Sequence, residues 1–227
     1  MKQILILSLL LFFPLFAQEP EGWLIPFACA YEPDIAGFNT AFANKGLPQA
    51  KTRHFGWGME LRSLVSRNIL FGPLYFRTWN DAENDSFHLR TENWGIFAEL
   101  GLKLPIFKFL TFVPLVGIGG VQPSFQIRKR TGDMTLDSLL NAPFNIAHIS
   151  PGMKITGLGA LELNIILPTN TGSYGLSLRG GYLYSPFGLN WHLANGARIT
   201  NTPDSKIKGP WLSLGLTIIP APEVSSQ

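Results

Sequence analysis

The chain has 227 residues, a net charge of +3 and a single cysteine, and only 15% of its residues are charged. An average soluble domain carries about 25% charged residues, so the composition argues against an ordinary soluble globule. One cysteine, Cys29, excludes an intrachain disulfide framework. The mild charge and scattered basic residues speak against a nucleic-acid binder.

The N-terminus opens with Met1-Lys2, then an apolar stretch at Ile4–Phe16, then Ala17 before Gln18-Glu19-Pro20. This pattern predicts a secretory signal peptide over residues 1–17, with a short N-terminal segment at 18–22. The apolar stretch is shorter than the roughly 20 residues of a spanning helix. No later run of about 18 apolar residues follows, so no transmembrane helix is expected in the remainder. Cys29 lies too far beyond the signal to be a lipidation site, and Ile25-Pro26-Phe27-Ala28 is a poor lipobox.

Eight apolar-alternating segments come next, at Trp23–Tyr31, His54–Leu64, Ile69–Trp79, Phe87–Leu104, Phe109–Arg128, Ile155–Leu167, Tyr174–Phe187 and Trp211–Ile219. In Trp94–Leu104 the even positions are all apolar. In His54–Leu64, Phe55, Trp57, Met59 and Leu61 oppose Gly56, Gly58, Glu60 and Arg62. The sixth segment sets Leu161, Leu163, Ile165 and Leu167 against Glu162 and Asn164; the seventh and eighth repeat the pattern. Period-two alternation is the signature of strands. Pro114, Pro123 and Gly117, Gly119, Gly120 interrupt the fifth segment, where a bulge near Gly119-Gly120 is expected. Phe144–Ser150 and Asp34–Phe42 are candidate extra elements, so ten strands are an alternative to eight.

The connections alternate in length. Those at 65–68, 105–108 and 168–173 are short; those at 32–53, 80–86, 129–154 and 188–210 are polar and mostly longer. Short turns at one rim and long loops at the other predict a closed antiparallel transmembrane β-barrel over residues 23–219, in a bacterial outer membrane, with a C-terminal tail at 220–227. Glu60, Arg62, Glu99, Lys103, Glu162 and Arg179 fall on the polar faces and are expected to form an ionic cluster in the lumen, because an unpaired buried charge is costly. Trp23, Tyr31, Trp57, Tyr75, Trp79, Trp94, Tyr182, Tyr184 and Trp211 fall near strand ends and are expected to form interfacial belts. Trp211 alone carries the lumen-facing parity.

The architecture resembles the small bacterial outer-membrane barrels of the OmpA-like and OmpX-like kind. Ser213-x-Gly215 followed by Ile218 resembles the C-terminal signal of such barrels, without their terminal aromatic. The resemblance implies outer-membrane lipid, lipopolysaccharide and the barrel-assembly machinery as partners. It implies a structural or loop-mediated recognition role, since eight strands leave an interior that side chains fill.

Two other functions are readable. His148-Ile149-Ser150 followed by Glu162 resembles the His-x-Ser and glutamate of lipid A deacylases, with His as base, Ser as nucleophile and Glu as orienter; Pro151 departs from that family's asparagine. A secreted soluble barrel holding an apolar ligand would need its greasy face inside. Metal or cofactor binding is not expected. His54, His88 and His192 stand singly, Asp81, Glu83 and Asp85 lack a calcium-loop pattern, and Gly117–Gly120 is no phosphate loop. Arg128-Lys129-Arg130 is a candidate contact for lipopolysaccharide phosphates.

Overall fold

A computed structural model describes residues 22–130, 146–169, 172–200 and 202–220. The signal-peptide segment, most of 129–154 and the C-terminal tail lie outside the described residues.

Strands β1 (Gly22–Tyr31), β2 (His54–Ser66), β3 (Ile69–Glu83), β4 (Phe87–Leu102), β5 (Leu104–Phe107), β6 (Leu110–Lys129), β7 (Ile146–Ser150), β8 (Lys154–Thr169), β9 (Gly172–Gly188), β10 (His192–Leu193) and β11 (Lys206–Pro220) belong to one antiparallel sheet. Eight of them close on themselves in the order β1-β2-β3-β4-β6-β8-β9-β11, and β11 returns to β1 through Leu24↔Ile218 to Tyr31↔Trp211. Closure leaves no free strand edge around the ring. The short β5 folds back on β6. Helix α1 (Ala36–Ala43) follows β1.

Alternation decides which way side chains point. Phe55, Leu161 and Leu214 are 61%, 57% and 57% exposed, while Glu60 and Glu162 are fully buried. Apolar side chains therefore cover the outside and the ions lie inside, the inverse of a soluble barrel.

Three expectations need correction. The outer hairpin is tighter than the predicted 80–86 loop, because β3 runs to Glu83 and β4 starts at Phe87. Asn84 makes this turn, its Oδ1 accepting the amides of Ser86 at 3.0 Å and Phe87 at 2.8 Å. The last strand begins at Lys206, where the chain already pairs with β9. No bulge occurs at Gly119-Gly120: the register runs unbroken from Gly95↔Val121 to Phe97↔Gly119 and on to β8. The glycine is needed for close approach instead, since a Cβ on Gly119 would stand 2.0 Å from the Ile96 carbonyl oxygen.

At the loop-bearing rim β6 changes partner. It pairs with β8 up to Val121↔Lys154, then with β7 from Phe125↔Ile149 to Arg128↔Ile146. Strands β3, β4, β6, β7 and β10 thus rise beyond the ring as a one-sided collar. Helix α1 lies across the mouth beside it. Ile35, Phe38 and Phe42 pack there with Leu89, Phe125 and Trp191.

Candidate functional site

Period-two geometry puts Glu60 and Arg62 on the same face of β2. From β4 comes Glu99, from β8 Glu162 and Asn164, and from β9 Arg179. All are at least 97% buried. Arg62 is bidentate to Glu162, donating from Nη1 and Nη2 at 2.7 Å each, and its Nε donates to Glu60. Arg179 donates from Nε to Glu162 at 2.6 Å, from Nη1 to both oxygens of Glu99 at 3.2 and 3.3 Å, and from Nη2 to Glu60. Asn164 Nδ2 donates to Glu162 at 2.6 Å, and Thr217 donates to Asn164 at 3.3 Å. Two guanidiniums are shared among three carboxylates, tying four walls together across the lumen. Fork-shaped Arg contacts are suited to such bridging.

Apolar layers seal this ionic layer on both sides. Toward the loop-bearing rim, Arg179 lies 5.5 Å from the Trp211 ring centroid, and Trp211 meets Phe27 edge-on at 5.7 Å and Phe76 at 6.2 Å. Phe97 stacks on Phe76 at 6.2 Å. Toward the turn-bearing rim, β1, β3 and β11 turn Trp23, Leu70 and Ile219 inward, with Leu64 and Ile166 packed against them.

Five of the six predicted lumen ions come together here. Lys103 does not: it lies at the turn-bearing rim, with its Nζ 5.1 Å from the Trp23 ring centroid. It keeps the inward parity of Glu99, but stands four residues further along, roughly 13 Å at about 3.3 Å per residue, beside the lumen-facing Trp23 instead of in the cluster.

The aromatics divide. Trp57, Tyr182 and Tyr184 are about half exposed on the outer face, and Trp57 touches Tyr75 at 5.7 Å. Trp57, Arg77 and Trp94 are paired across β2, β3 and β4, and Arg77 holds Glu92 through two bonds of 2.8 and 2.9 Å. Trp79 lies under Arg90 at 6.0 Å. By contrast Trp23, Tyr31 and Trp211 are only 1%, 1% and 2% exposed and point into the lumen. Their parity on β1 and β11 turns them inward, which is why they are not on the belts.

The proposed hydrolytic constellation is not assembled. Glu162 pairs with Val113 of β6, and His148 pairs with Gln126 of the same strand. At about 3.3 Å per residue that separates them by roughly 40 Å along β6. Ser150 Oγ donates to the Pro123 carbonyl at 3.1 Å, away from His148. His88 Nε2 is 3.5 Å from Asp81, and Arg130 is 3.7 Å from Glu83. No cluster of three or more metal-ligating side chains occurs among the described residues. Cys29 is buried and unbridged.

Sequence reasoning missed the cap over the mouth. Phe38 lies 4.7 Å from Trp191 and 4.8 Å from Phe125, and Phe42 lies 5.3 Å from Phe125. The available signal was Ile35, Phe38 and Phe42, three apolar residues at helical spacing within a polar loop.

No protein-family model matches the chain, and no curated protein matches it in sequence. Among solved structures it is similar to Ail, the attachment invasion locus protein of Yersinia pestis, crystallised in complex with the heparin analogue sucrose octasulfate (11% identity, TM-score 0.48, 88% of this chain and 99% of that one). It is also similar to Neisserial surface protein A (10% identity, TM-score 0.41, 87% and 96%) and to the outer membrane protein OprG of Pseudomonas aeruginosa (10% identity, TM-score 0.40, 88% and 96%). The strand pairings themselves show the fold: a ring of eight antiparallel strands closed on itself, with apolar side chains outward and ions inward.

Proposed function

We propose that the chain is an integral outer-membrane barrel whose lumen is closed and whose role is structural or recognition through its outer collar. One observation carries this: a closed ring exposes apolar side chains all round and buries its ions. In β8 the exposed apolar side chains run from Ile155 to Leu167. That is roughly 40 Å of strand, which at a tilt of about 40° rises roughly 30 Å, the thickness of a hydrocarbon core. The aromatics Trp57, Tyr75, Trp94, Tyr182 and Tyr184 then lie at headgroup depth, where amphipathic rings are favoured. A secreted barrel with an apolar interior would need the opposite facing.

Outer-membrane lipid is accordingly the first partner. The run Arg128-Lys129-Arg130 at the end of β6 supports contact with lipopolysaccharide phosphates, and Ser213, Gly215 and Ile218 near the end of β11 support handling by the barrel-assembly machinery. The ionic layer holds the walls together rather than conducting. Its guanidiniums are engaged by carboxylates, and aromatic and aliphatic layers cover both sides.

The test is to express the full chain, isolate the outer-membrane fraction, and insert the extracted protein in planar bilayers. The expected result is a heat-modifiable band in that fraction and no unitary conductance. A freely soluble product refutes the membrane reading, and resolved channels refute the closed lumen.

A further inference from the structure

Between the Phe27, Phe76 and Trp211 aromatics and the cap of helix α1, one side of the lumen turns polar. Adjacent strands β2, β3 and β4 direct His54, Thr78, Thr91 and Asn93 inward, exposed by 0%, 0%, 2% and 2%. Thr78 pairs with Asn93 across β3 and β4, and Asn93 Nδ2 lies 2.9 Å from His54 Nδ1. His54 Nε2, Thr78 Oγ1, Thr91 Oγ1 and the neighbouring Asn80 Oδ1 have no protein partner. They are four of the five such buried side-chain atoms among the described residues. Such concentration in one patch is unlike the scattered exceptions of a folded protein, where nearly every buried polar atom is satisfied.

The patch adjoins a space. Thr91 and Asn93 line a cavity of about 20 Å³, with Tyr31, Phe38, Phe125 and Trp191 among its other walls. A water molecule needs at least about 10–15 Å³ of such volume and two to four polar partners. The cavity is too small for a sugar, a nucleotide or an acyl chain.

We propose that this chamber is an internal hydration site, holding one or two ordered waters that complete the hydrogen bonding of Thr91, with Asn93 beside it on the same wall. The guest is selected by size and by hydrogen bonding. The waters join the barrel wall to its cap: Phe38 and Trp191 cover them from above, and Thr91 and Asn93 of β4 hold them from below. The inference is independent of the membrane reading and holds for a barrel in any surroundings.

Thr91→Val tests it in the full-length folded protein. Valine keeps the shape and β-propensity of threonine, so the strands still form. If the Thr91 hydroxyl binds water, removing it discards a hydrogen bond, and the urea midpoint of unfolding in micelles lies at or below that of the parent. If the hydroxyl is buried dry, valine removes an unsatisfied polar atom and the midpoint rises, which overturns the proposal. A high-resolution crystal structure gives the second reading. Ordered solvent within hydrogen-bonding distance of Thr91 Oγ1 supports the site; a chamber collapsed onto apolar atoms overturns it.

Discussion

Replacing Arg179 by methionine removes the most connected member of the lumen network while keeping an unbranched stem of similar length. Arg179 contacts all three carboxylates: Glu162 at 2.5 and 2.6 Å, Glu99 at 3.2 Å, and Glu60. At an effective dielectric of about 20, a charge pair about 4 Å apart is worth roughly 4 kcal/mol. Three such attractions are offset by several kcal/mol for stripping water from the guanidinium. The variant also leaves Glu60, Glu99 and Glu162 with Arg62 alone, so like-charge repulsion is added. The expected net loss is about 3–5 kcal/mol, the range for breaking a buried pair by removing one partner. The assay is urea-dependent folding into lipid vesicles, followed by tryptophan fluorescence and by the fraction of protein that stays compact on an unboiled gel. Adding Glu99→Gln to the variant restores part of the loss, through a coupling of about 0.5–3 kcal/mol. A loss below about 1 kcal/mol, the value of exposed pairs, refutes the reasoning, because it means that water reaches the ionic layer and screens it.

Other outcomes follow from positions already described. Leu161→Arg, in the middle of the outward band of β8, destabilises the vesicle-inserted protein by about 2–4 kcal/mol, measured by the same titration; no loss places this face in water. Gly119→Ala abolishes the heat-modifiable form, because its Cβ meets the Ile96 carbonyl, whereas Gly159→Ala, with nothing within 4 Å, is tolerated. Asn84→Ala removes the bonds to the Ser86 and Phe87 amides and costs about 1 kcal/mol, read as faster hydrogen exchange at Phe87. Ser150→Ala leaves lipid A acylation unchanged by mass spectrometry, since Ser150 is bonded to Pro123 and is far from Glu162.

Where one face of a strand was apolar and the other ionic, facing was legible from sequence. β2, β8 and β9 are such strands, and Glu60, Arg62, Glu162 and Arg179 were placed by parity alone. Where both faces are apolar, parity gives no answer. In β1, Trp23, Ile25, Phe27, Cys29 and Tyr31 point inward while Leu24, Pro26, Ala28 and Ala30 point outward. Phe27, for one, goes inside where Gly58 opposite it on β2 leaves room for its ring, a fact about the neighbouring strand that one strand's sequence does not contain. Trp211 shows the same: its parity was right, and its habit of sitting at interfaces was the misleading cue. The cap was hidden for another reason. Its residues come from α1, β4, β6 and the segment before β10, and only the closed ring brings Phe38, Leu89, Phe125 and Trp191 to one mouth.

Strand β6 links these levels, and its glycines guard a mistake that patterning cannot see. A slip of two residues against β4 keeps every side chain on its proper face, so the apolar and polar faces would still match. Yet a shift in one direction carries Val121 into the place of Gly119, against the Ile96 carbonyl. The opposite shift puts Gly119 where Val121 fills the space beside Gly95, leaving a hole there. Either error also draws Phe125 out of the cap at the far end. The barrel thus carries a self-checking key along a single strand, so that closure selects one alignment among several with the same hydrophobic pattern.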